Sequence, residues 1–66
     1  MNIGETIKRL MKEQGYTLEM LSDRIGWSTS AIIDWRKGRT APSSLAMWEM
    51  AQVFGVSMDE MFGVGK

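Results

Sequence analysis

The sequence predicts an all-α, compact domain of five short helices, and three observations carry that reading. Apolar residues recur at helical spacing, glycines stand where each periodic stretch stops, and a serine or threonine stands just before most of the restarts. No segment alternates apolar and polar residues over the length of a strand. At 66 residues the chain has material for one hydrophobic core, so a single domain over residues 1–66 is expected.

The elements follow in order. Ile3, Ile7 and Leu10 have the i, i+4, i+7 spacing of one buried helix face, and Gly15 marks the end of that helix. Thr17 is a natural N-cap for a second helix of roughly two turns, with Leu21 and Ile25 inward and Gly26 as its stop. Ser28 caps a third helix, with Ile32 and Trp35 inward and Gly38 closing it. After the loop of residues 39–41 and Pro42, Ser43 or Ser44 starts a fourth helix that buries Met47, Met50, Ala51 and Phe54 and stops at Gly55. Ser57 and Glu60 have capping-box spacing, and Gly63 follows, which predicts a short fifth helix. Only residues 64–66 resemble a tail.

Composition excludes several function classes. There is no histidine and no cysteine, which removes the usual nucleophiles, general bases, zinc ligands and disulfides, so neither an enzyme nor a metal protein is expected. Neither a dinucleotide fingerprint nor a Walker pattern occurs among the seven glycines, so no nucleotide cofactor is expected. Asp59 and Glu60 are adjacent, but consecutive helical residues diverge by about 100° and capping accounts for Glu60 without an ion. No run of about 18 apolar residues exists, and Glu5, Lys8 and Arg9 interrupt the N-terminal segment, so neither a membrane span nor a signal peptide is expected. A cytoplasmic location fits a chain without cysteines.

The informative segment is residues 17–38, TLEMLSDRIGWSTSAIIDWRKG, in which two helical patterns stop and restart around one glycine. Two helices joined by a three- or four-residue turn containing glycine cross steeply, and in DNA-binding versions the second lies in the major groove. With the opening IGETIKRLMKEQGYT, the block LSDRIGWSTSAI, the loop WRKGRTAPS and the tail MAQVFGVSMDEMFG, the chain resembles the phage-repressor and Cro type of helix-turn-helix domain over nearly its full length. The resemblance implies five helices, dimeric binding to a double-stranded DNA operator and a role in transcription regulation of the kind encoded by phages or mobile elements.

Base reading is expected from the outward face of the third helix: Thr29, Ser30, Ile33 and Asp34. The hydroxyls suit several base edges, Ile33 suits a thymine methyl, and Asp34 can accept from the cytosine amino group. Arg36, Lys37 and Arg39 crowd the end of that helix, where the family typically touches phosphate, and Thr17, Thr40 and Ser43 sit at or near helix N-termini that favour anions. These six form the expected phosphate set. The formal net charge is zero, which is unusual for a DNA binder, but its distribution is uneven: residues 1–40 sum to +2 and residues 41–66 to −2.

Two departures from the family pattern have consequences. Relatives usually carry an arginine at the position of Met11 and a glutamate at that of Arg36, forming an ion pair; here both ends are exchanged, which releases Arg36, its stem expected along Met11 and Trp35 and its guanidinium toward solvent or phosphate. Large apolar residues also lack an obvious core position. Trp48, Met58, Met61 and Phe62 lie toward the C-terminal helices where relatives dimerise, and a homodimer interface is expected there. Leu18, Met20, Trp27 and Ile33 fall on the motif's outward side and support an alternative, a protein-protein interaction module that uses the helix-turn-helix face with little or no DNA binding. No small-molecule effector site is evident.

Overall fold

The last four helices each begin at a hydroxyl cap, and all five end at a left-handed glycine, so the local chemistry of the chain sets its segmentation. In a computed structural model that describes residues 3–63, the elements are α1 (Ile3–Gln14), α2 (Leu18–Ile25), α3 (Thr29–Lys37), α4 (Ser44–Phe54) and α5 (Met58–Phe62). No strand occurs among the described residues, and the expected tail of residues 64–66 lies outside them. The side chains of Thr17, Ser28, Ser43 and Ser57 accept from the backbone N–H three residues on, at 3.1, 3.2, 3.2 and 3.1 Å. Each such cap is worth about 1 kcal/mol. Ser43 is therefore the cap of α4, and Ser44 is its first helical residue.

The inward stripes meet in one core. Ile7, Leu10, Met11, Leu21, Ile25, Ile32, Trp35, Ala46, Met47, Met50, Ala51, Phe54 and Met61 are buried, with Ile3, Tyr16, Leu18, Met58 and Phe62 packed partly against them. α1 packs against α3, α4 and α5, α2 against α3 and α4, and α4 against α5. The joins are specific. Gln14 donates from Nε2 to the Phe54 carbonyl at 2.8 Å, which ties the end of α1 to the end of α4. Tyr16 meets Phe54 edge to face, with centroids 5.5 Å apart, and carries the Arg24 guanidinium above its ring at 5.9 Å.

One expectation at the C-terminal end is corrected. Met61 is fully buried inside the monomer, because α5 lays it onto the core that α1 and α4 share, and it has no surface to give a second subunit. Met58 and Phe62 are half-buried against the same core. Leu18, expected on the outward side, also packs partly against the core. The large exposed apolar residues are instead Met20, Trp27, Leu45 and Trp48.

A close approach fixes α1 against α3. A Cβ added to Gly4 would lie 2.6 Å from the Trp35 carbonyl oxygen and 2.7 Å from that of Arg36. Both are backbone atoms of the last turn of α3, so only a residue without a side chain lets the first turn of α1 come this close.

Candidate nucleic-acid interface

The angle between α2 and α3 is held by three local contacts in the turn of residues 26–28. Gly26 adopts φ 76° and ψ 19°, and its N–H bonds back to the Ser22 carbonyl at 2.8 Å. The Ser22 hydroxyl donates to the Trp27 carbonyl, one residue past the glycine. The Trp27 ring then packs on the buried Trp35 ring, with centroids 5.5 Å apart and planes at 63°. Ser22 escaped the sequence reading, since a polar residue inside a helix carries no signal of what it reaches.

α3 presents its outward residues in a stripe. Ser30 is exposed, while Thr29, Ile33 and Asp34 are partly covered. Because a helix turns once every 3.6 residues, Thr29, Ile33 and Lys37 lie above one another, so the stripe runs from hydroxyls through a hydrocarbon to a cation. The helix spans about 13 Å at 1.5 Å per residue, comparable to the roughly 12 Å width of the major groove.

The end of α3 brings two of the expected contacts against each other. Gly38, at φ 78°, donates to the Trp35 carbonyl at 3.2 Å, and Arg39 donates from its backbone to the Asp34 carbonyl at 2.9 Å. This reversal folds residue 39 back over residue 34. As a result the Arg39 guanidinium stands 3.7 Å from the Asp34 carboxylate, with the two side chains 67% and 39% exposed. An ion pair so open to water is worth about 0 to 1 kcal/mol, weak enough for either group to be drawn to a better partner.

The other candidate cations are differently placed. Arg36 is half-buried and Lys37 exposed, and with Lys8 of α1 and Ile33 they line a depression of about 300 Å³ between α1 and α3. Lys8 was not among the expected contacts, because nothing in its own helix ties it to residues nearly thirty positions away. Met11 is buried in the core, so the position that carries a charge in the resembling family is here apolar.

The hydroxyl candidates divide by position. Thr17 and Ser43 accept from the first turns of α2 and α4, which leaves each O–H free to donate outward. Both residues are exposed, and a helix start presents further N–H groups without intrahelical partners beside its cap. Thr40 is exposed on the loop that leads from α3 to α4 and borders a second depression with Ile3, Gly4, Trp35 and Arg39.

Five helices, a three-residue glycine turn between α2 and α3, and a third helix with an open polar stripe define a helix-turn-helix domain. The helix-turn-helix family model matches residues 7–61, and the chain belongs to that family. It is 34% identical over 59 residues to an uncharacterised HTH-type transcriptional regulator of Sinorhizobium fredii, covering 89% of this chain and 77% of that one. It also superposes on the crystal structure of a transcriptional regulator from Listeria innocua with a TM-score of 0.87 at 25% identity, over 97% of this chain. The chain spans 60% of the length of that solved regulator. No helix among the described residues is long and apolar enough to cross a membrane.

Proposed function

We propose that this domain binds double-stranded DNA sequence-specifically and regulates transcription, as a homodimer on a pseudo-palindromic operator. The observation that carries the reading is the stripe on α3: its first turn offers Thr29 and Ser30, its middle Ile33 and Asp34, and its end Arg36 and Lys37, on a helix locked at both ends to its neighbours. Thr29, Ser30, Ile33 and Asp34 read base edges, and Thr17, Arg36, Lys37, Arg39, Thr40 and Ser43 hold phosphates on either side. Family membership and the naming of the relatives as transcriptional regulators support the same assignment. The domain carries out no catalysis and needs no cofactor or effector for this role.

Dimerisation is assigned to the α4 face. Leu45 and Trp48, three residues apart on α4, are 60% and 51% exposed, and Met58 and Phe62 border the core nearby on α5. Two α3 helices related by the dimer axis then lie one DNA turn apart, about 34 Å, so the half-site centres are about 10 base pairs apart.

Selection from a random duplex library with purified protein tests the reading. Enrichment of a two-fold-related sequence is the expected result. Exposed Met20 and Trp27, within the motif, and the pairing of Asp34 with Arg39 favour a protein partner as the second reading. Retention of no duplex at low salt would overturn DNA binding in favour of that partner.

A further inference from the structure

We infer that Lys8, on α1, completes a phosphate-binding cleft with Arg36 and Lys37 of α3, seated over Ile33; this rests on the DNA-binding reading. The four residues line one depression of about 300 Å³, and no carboxylate is among them. Among the described residues, Arg9 pairs with Glu13 and Glu60 and Arg39 with Asp34, and none of these ion pairs takes up Lys8, Arg36 or Lys37. Three like charges gathered around a hydrocarbon repel one another, and an anion in their midst reverses the sign of that interaction. The partial negative charge at the end of α3 accounts for Arg36 and Lys37, which stand on its last turn. Lys8 comes from a different helix, and its convergence on the same depression points to a ligand.

The position of the cleft identifies the anion as a backbone phosphate of the same duplex. Ile33 belongs both to the cleft and to the outward stripe of α3, one turn beyond Thr29 and Ser30. Lys37 lies eight residues past Thr29, about 12 Å along the axis. A major groove is about 8.5 Å deep, so a helix that enters by its N-terminus reaches the level of the phosphates at this end. Ile33 lines the cleft with the three cations, which approach one phosphate from two helices. The contact positions α3 and carries no base information.

Fluorescence anisotropy of a labelled random-sequence duplex, titrated with the full chain over a salt series, tests this with a matched control. Lys12 is exposed on α1, one turn beyond Lys8, and lies outside the cleft, so Lys12→Ala removes the same charge from the same helix. Lys8→Ala is expected to weaken binding about three- to tenfold and to lower the salt slope by about one unit, with Lys12→Ala changing the slope by clearly less and Lys8→Arg restoring it. Lys8 is exposed, and unchanged melting temperatures will confirm intact folding. Equal losses in Lys8→Ala and Lys12→Ala would show a general charge effect and overturn the cleft while leaving DNA binding standing. A wild-type chain that binds no duplex at all would overturn both.

Discussion

α3 and α4 are built alike and exposed differently. Both start at a serine cap and end at a left-handed glycine, and both bury a stripe in the same core. The open side of α3 carries hydroxyls, one acid and two cations, and it borders a cleft that a lysine of α1 helps to line. The open side of α4 carries Leu45 and Trp48, with no basic residue anywhere in the helix. Capping and core packing set where these helices stand and leave their outer faces unconstrained, so the two faces are free to suit different partners. One is suited to a wet, charged partner, and the other to a dry one.

Four substitutions test this contrast, beginning with the largest expected effect. Met11→Arg places a charge in the core that α1 shares with α3, the helix whose last turn carries Arg36, and it should destabilise by about 3 kcal/mol. Adding Arg36→Glu should recover much of that loss, and a double-mutant cycle in urea with no coupling energy would show that positions 11 and 36 do not interact. Gly4→Ala should cost about 2 kcal/mol although alanine favours helix, because overpacking against two carbonyls outweighs a propensity gain of about 1 kcal/mol. A stabilised Gly4→Ala variant, measured by thermal melting, would mean that α1 slides freely over α3.

Trp48→Glu sharpens the other side of the comparison. It should change stability by no more than about 0.5 kcal/mol, as an exposed position, yet shift sedimentation toward monomer and weaken operator binding. An unchanged profile from a wild type that is monomeric at high concentration would remove α4 as the interface. Asp34→Ala should have the smallest effect on folding, since it breaks only an exposed pair. Its readout is the selected sequence, where the preferred base at one position of each half-site should change at a cost of about 1 to 3 kcal/mol. Tighter binding to every duplex with the same preferred sequence would make Asp34 a brake on Arg39 and no base reader.

The helices were legible in the sequence because their signals are local. A cap such as Ser28 and a stop such as Gly38 act within four residues, and Ile32 and Trp35 declare their shared face by spacing alone. The surface was less legible. Met61 belongs to a five-residue helix, too short for periodicity to separate inside from outside, and its burial depends on α1 and α4 arriving over it. Leu45 looks like a core residue by type, but it stands in the first turn of α4 and is 60% exposed. Asp34 and Arg39 meet only because the chain reverses at Gly38, and Lys8 joins Arg36 only because α1 and α3 pack side by side. Such pairings are properties of the assembled fold, and a linear pattern carries only half of each.

The contact at Gly4 gives the domain an alignment that is set from behind. α3 is a short rod pinned near its middle by the fully buried Ile32, and its far end rests on the first turn of α1. A methyl group at position 4 acts on the short arm of this lever, and the leading turn, with Thr29 and Ser30, swings the opposite way. A duplex engaged by that turn would register the tilt as a change in which bases fall within reach. If α3 reads bases as proposed, selectivity would then be retuned through Gly4, a residue outside the reading stripe, by altering the thickness of a single backbone contact.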